Sequence, residues 1–128
     1  MADYKDNRMG FHIPQPPPEN QLKGKTPEEL LAEWDKYARN IAAHMFAVRT
    51  IDSYAGNPGM RLHIDAMHRD FPENLHVPAL RQYHVTAAKQ ASEDFVAFIK
   101  KHVKPEYPEY QSFLDVPKRL QAFLNFQP

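Results

Sequence analysis

The chain has 128 residues, 42% of them hydrophobic and 25% charged, which is the composition of one globular domain. Sixteen basic and sixteen acidic residues cancel, so binding to nucleic acid or to an anionic membrane, which both attract positive charge, is not expected. Cysteine is absent, which excludes a disulfide framework, a thiolate zinc site and a cysteine nucleophile. No apolar run is long enough to cross a membrane and no apolar signal core stands near the start, so we expect a cytoplasmic protein.

Residues 1–25 are predicted to form an extended, proline-rich arm that lies outside the core. The run of Pro16, Pro17 and Pro18 favours polyproline II, which has no internal hydrogen bonds and exposes its backbone. Phe11 and Ile13 make the arm too apolar for a purely solvating tail. We therefore expect the arm to dock on a partner through these five residues, and the alternative is a disordered tail.

A long first helix is predicted over residues 27–54. Thr26 as N-cap, Pro27 at the first helical position and Glu29 two residues later form a capping box with a pre-set first turn. Apolar residues then recur at spacings of three and four, and a second set widens the stripe: Leu30, Trp34, Tyr37, Ile41, Met45 and Val48, with Leu31, Ala38, Ala42 and Phe46. We expect Trp34 to be buried against the third helix.

Prolines divide the rest of the chain into helices of unequal length. A shorter helix is predicted over 59–70, a long one over 78–103, a helical turn over 108–114 and a final helix over 117–126. No segment alternates with period two, as a strand would. The prediction is a single all-α domain over 26–128, a small bundle with two long antiparallel helices, a shorter middle helix and short C-terminal helices.

Catalytic motifs are missing from the sequence. No serine stands in a Gly-x-Ser-x-Gly turn, and the four glycines do not have the spacing of a phosphate-binding loop. Ser92 is expected to face solvent beside Glu93 and Asp94. We predict no cofactor.

The seven histidines are the remaining candidates for chemistry. None has the helical spacing of zinc proteases or carboxylate-bridged di-metal bundles. His84 falls on the inward stripe of the third helix, and a metal site across helices, such as His44 with His84 or His68, stays open. The alternative interpretation makes these histidines hydrogen-bonded, semi-buried residues of the fold.

The C-terminal segment is rich in aromatic residues, which are enriched in protein interfaces. We expect Tyr107, Tyr110 and Phe126 to contact a partner, and the alternative is that this segment packs back over the helical core. The sequence thus favours a non-catalytic accessory subunit that docks on a larger protein, or on a second copy of itself, through the arm and the aromatic C-terminal segment. The alternative is a small helical metal-binding protein or enzyme that uses histidines from different helices.

Overall fold

A computed structural model describes residues 16–71 and 76–125, and the fold there is all-α. Phe11, Ile13 and Phe126, three of the predicted partner contacts, lie outside the described residues. Within them, the one extended pairing is an isolated bridge between Leu22 and Val103. The five helices are α1 (Pro27–Tyr54), α2 (Arg61–Met67), α3 (Val77–His102), α4 (Tyr110–Leu114) and α5 (Val116–Leu124), with 3₁₀ turns at Glu19–Gln21 and Pro58–Met60.

The start of α1 lies where the local sequence signals place it. The Thr26 hydroxyl accepts a hydrogen bond from the Glu29 N–H at 3.2 Å, and the Glu29 carboxylate accepts one from the Thr26 N–H at 3.0 Å. Pro27 occupies the first turn, where its missing N–H costs nothing. The predicted bounds of the first helix are confirmed at both ends.

The two long helices, α1 and α3, run antiparallel. Trp34 of α1 contacts Phe95 of α3, and further along α1 His44 contacts His84, so advancing along α1 means retreating along α3. Trp34 is fully buried, with its ring edge-to-face against Phe95 at 4.9 Å and against Phe113 of α4 at 5.0 Å. Such aromatic pairs add about 0.5–1.5 kcal/mol beyond the area that they bury. The predicted burial of Trp34 against the third helix is confirmed.

The segment before α1 is extended at Leu22, where it pairs with the end of α3, and we call residues 21–24 the strap. The Lys23 N–H donates to the His102 carbonyl and the Lys104 N–H donates to the Gln21 carbonyl, both at 2.8 Å. The last carbonyls of a helix lack partners within the helix, so an extended neighbour can satisfy one of them. Leu22 of the strap is 9% exposed and belongs to the core. The expectation that the arm lies outside the core is therefore wrong for Leu22.

A second, smaller core holds α2 against the C-terminal end of α1 and the N-terminal end of α3. It consists of Ile51, Ile64 and Leu80, with Phe71 and Val77 packed around them. The second helix is shorter than the predicted 59–70, because a 3₁₀ turn precedes it and His68 leaves helical geometry with φ −117°. Ile64 is the one buried residue within α2.

Three further side chains differ from the sequence expectation. Leu31 and Phe46, expected to widen the buried stripe of α1, are exposed, whereas Ser92, expected to face solvent, is fully buried. The breadth of a buried stripe depends on which elements cover the helix, and periodicity along one helix does not contain that information. None of the helices in the described part of the chain is long and apolar enough to cross a membrane.

Candidate functional site

Three histidines from three different elements meet in one row. His84 lies on the inward face of α3 and is 8% exposed, His44 is in the second half of α1, and His68 directly follows α2 and is 7% exposed. Nδ1 of His44 lies 2.8 Å from Nδ1 of His84, and Nε2 of His84 lies 2.7 Å from Nε2 of His68. Nδ1 of His68 lies 2.5 Å from the Ile64 carbonyl oxygen. We call this row of three rings, ending at the carbonyl, the histidine wire.

The carbonyl at the end of the histidine wire determines which nitrogen of each neutral ring carries the proton. A carbonyl oxygen only accepts, so Nδ1 of His68 is the donor and its Nε2 has the lone pair. Nε2–H of His84 then donates to His68, and Nδ1 of His84 accepts from Nδ1–H of His44. All three rings are neutral in this pattern, and each of the three hydrogen bonds has one donor and one acceptor.

Burial favours the neutral form of two of the rings, His84 and His44. It is the main cause that lowers the pKa of His84, to about 4, and the neighbouring His44 and His68 lower it further. Burial alone lowers the pKa of His44. A charged imidazole loses hydration when it is buried, and no opposite charge lowers that cost here. At neutral pH the central ring, His84, is therefore uncharged and is held by hydrogen bonds to the rings on either side.

Two aromatic rings cover the histidine wire. Tyr83 lies edge-to-face against His44 at 6.0 Å and against His84 at 5.0 Å, with 49% of its surface exposed. Phe71 lies edge-to-face against His68 at 5.1 Å and against Tyr83 at 5.0 Å. These two rings contact all three histidines, and no pattern in the sequence marks either residue as their neighbour.

The three histidines that were open as metal ligands are thus neighbours, but they stand in a line rather than around a point. The two nitrogens of an imidazole lie on opposite sides of the ring, and His84 turns one to His44 and the other to His68. In the part of the chain that the structure describes, no three histidine or carboxylate side chains are grouped so as to hold one metal ion. The arrangement favours the interpretation of the histidines as hydrogen-bonded residues of the fold.

A second feature is an open apolar groove of about 630 Å³ along the outer side of α1. Phe46 lies in it and is 55% exposed. Its other lining residues are mostly small or apolar, with one cation: Ala42, Ala43, Arg49, Thr50, Ser53 and Met60. We call it the Phe46 groove. An aromatic side chain that is half exposed in an apolar groove can act as an anchor if a partner covers the groove.

The predicted partner contacts inside the described residues are spread over the molecule. Pro17 is buried, Pro16 is partly buried and Pro18 is exposed. Tyr107 and Tyr110 are partly buried and pack against the main core, where Tyr107 stacks on Phe113 at 5.7 Å. Much of the aromatic surface of the C-terminal segment is thereby used within the fold.

Comparisons with known proteins give no relatives. The chain matches no protein-family model, no curated protein and no solved structure.

Proposed function

We propose that this chain is a non-catalytic helical interaction subunit that docks on a larger protein, in the cytoplasm. The observation that carries the proposal is the Phe46 groove, where a half-exposed aromatic side chain stands on a regular helix among small neighbours. Full burial of a Phe side chain contributes roughly 1.5–3 kcal/mol, so leaving it in water forgoes that stabilisation unless a partner covers it.

The groove supports the proposal by its shape and its rim. Ala42 and Ala43 let a partner approach the helix backbone, while Arg49 and Ser53 supply polar groups beside the apolar centre. Interfaces commonly combine a few large anchors with such a polar rim. α1 is well ordered by its capping box and by packing against α3, so little further ordering is needed on binding.

The residues before the strap supply the second part of the proposal. Phe11 and Ile13 are apolar anchors in sequence terms, and Pro18 is the exposed member of the proline run that follows them. An extended proline-rich peptide loses little entropy when it lies in a partner's groove. The partly exposed Tyr107 and Tyr110 remain additional candidates for contact.

The experiment compares four immobilised proteins for the partners that they retain from an extract of the native cell. They are the unchanged chain, a Phe46→Glu variant, a truncation that removes residues 1–15, and a control Lys89→Glu variant at an exposed position of α3. We expect one protein to be retained by the unchanged chain and the control, and its amount to fall at least tenfold with Phe46→Glu and with the truncation. Equal retention by all four proteins, or retention by none, would show that the proposal is wrong.

A second copy of the chain is the other partner that the sequence leaves open. Sedimentation equilibrium of the unchanged chain and of Phe46→Glu separates the two cases. If the unchanged chain is a dimer and Phe46→Glu is a monomer, the groove binds a second copy of the chain and not a larger protein.

A further inference from the structure

The attachment of α2 to the rest of the molecule depends on few side chains. Ile64 is the one buried residue within its seven, and His68 is the buried residue that follows it. The Arg61–Asp65 ion pair of α2 lies on the surface, where Arg61 also bonds the Tyr54 side chain at the end of α1. His68 therefore supplies, through His84, a polar link between the end of α2 and the long helices.

We propose that the histidine wire is a proton-sensitive latch, which holds residues 61–71 on the bundle while its rings are neutral or only one of them is charged, and releases them when a second ring becomes charged. The proposal rests on the geometry of the row. Each histidine belongs to a different element, and each nitrogen that faces a neighbouring ring acts either as the donor or as the acceptor of one hydrogen bond. It does not depend on the proposed docking function.

A first proton can enter the wire without breaking it. Nε2 of His44 is the one ring nitrogen in the row that makes none of its hydrogen bonds, and protonating it leaves Nδ1–H of His44 donating to His84. The proton can also pass along the row, if each bridging hydrogen moves to the next ring, until His68 has the charge. The row ends at a carbonyl, which takes no proton, so the wire stores the charge rather than conducting it through the protein.

A second proton breaks the latch. With two of three adjacent rings charged, at least one contact of 2.7 or 2.8 Å loses its acceptor, and two N–H groups face each other. The ring centroids are 4.9 and 5.1 Å apart, so the charges repel at short range in a partly buried site. Releasing His68 to solvent removes both penalties, because a solvated imidazole accepts a proton near pH 6.5.

The charged and titratable groups around the latch do not offset this repulsion. From α3, Tyr83 faces His44 and His84 by its ring edge, and Arg81 is held by Asp52 of α1 at 2.6 and 3.1 Å. From α2, Asp65 is bound to Arg61 at 2.9 Å. Among the described residues, no carboxylate is hydrogen-bonded to any of the three rings. Protonation of the rings therefore gains no ion pair.

The size of the response follows from proton linkage. If the latched form binds the decisive proton with the pKa of His84, about 4, and the released form with the ordinary value of 6.5, the population of the released form rises as the pH falls below 6.5. Between pH 7 and pH 5 the ratio of released to latched protein should increase on the order of tenfold to thirtyfold.

Amide hydrogen exchange tests this on the intact chain. Exchange is measured at pH 7 and pH 5 and corrected for intrinsic rates. From pH 7 to pH 5 we expect the protection factors of residues 61–68 to fall at least tenfold, and those of the core amides of α1 and α3 to fall much less. A His84→Gln variant, which cannot become charged, should lose the pH response, and the exposed His63→Gln control in α2 should keep it. Equal protection of 61–68 at both pH values, or the same response in His84→Gln, would overturn the latch.

Nitrogen NMR of the unsubstituted chain covers the case in which His84→Gln does not fold. At pH 7 we expect protons on Nδ1 of His68, Nε2 of His84 and Nδ1 of His44. A different set of protonated nitrogens, or titration of His84 near pH 6.5, would refute the proposal. One equivalent of zinc should leave these signals in place, and a joint shift of all three rings that saturates at one equivalent would make the cluster a metal site instead.

Discussion

Replacing Leu22 by alanine tests whether the strap is part of the folded core. The side chain is 9% exposed and packs in the cluster that contains Trp34 and Phe113. Removal of a buried leucine to alanine costs about 2–5 kcal/mol, and the lower part of that range applies at the rim of a core, where neighbours can close in. We therefore expect a loss of about 2–3 kcal/mol, which for a chain of this size lowers the melting temperature by roughly 8–12 °C.

Thermal and urea denaturation followed by circular dichroism measure this loss. The matched control is Lys23→Ala, whose side chain is exposed and whose backbone N–H still bonds the His102 carbonyl, so its stability should change by no more than about 0.5 kcal/mol. Truncation of residues 1–15 should likewise leave the melting temperature nearly unchanged. If Leu22→Ala costs less than about 1 kcal/mol, the strap is not held by its leucine and our account of the core boundary fails.

Three other changes give separate tests. Thr26→Ala should cost about 1 kcal/mol by removing one half of the capping box, and an unchanged melting temperature would contradict its role. Ser92→Ala should be neutral or stabilising by up to about 1 kcal/mol, because its fully buried hydroxyl has no hydrogen-bond partner within the described residues, so a clear loss of stability would refute this. Because the pKa of His84 is depressed from 6.5 to about 4, the unfolded chain binds more protons in that range. The free energy of unfolding, measured by urea titration, should be highest above pH 6.5 and decrease by up to about 3 kcal/mol towards pH 4. In His84→Gln this decrease should be smaller.

Local chemistry determined the helices. The bounds of α1 follow from short local signals at each end: Gly56, Asn57 and Pro58 just after Tyr54, and Thr26, Pro27 and Glu29 at the start. The two hydrogen bonds of the capping box join residues only three positions apart, so they depend little on the rest of the chain. The inward position of Trp34 likewise follows from helical periodicity, and its burial confirms it.

The candidate site was only partly accessible from the sequence. The sequence shows the histidines and leaves the pairing of His44 with His84 open among several possibilities. It does not indicate their order in the row or which of their nitrogens are protonated. Those depend on contacts between residues 40 and 16 positions apart, and on the Ile64 carbonyl at the end of the row. A carbonyl is present in every residue, so no sequence signal marks the one that orients a distant histidine.

Tertiary structure alone decided which flank of each helix is covered. Phe46 and Ser92 both stand in regular helices beside buried residues, yet the apolar one is exposed and the polar one is buried. Periodicity fixes the angle of a side chain around its own axis but not where the neighbouring helices end. Leu22 shows the same dependence, because an isolated bridge to Val103, 81 positions away, brings it into the core. Contacts across such separations are decided by the packing of the whole bundle, where the partner surface, and not the local sequence, determines what is buried.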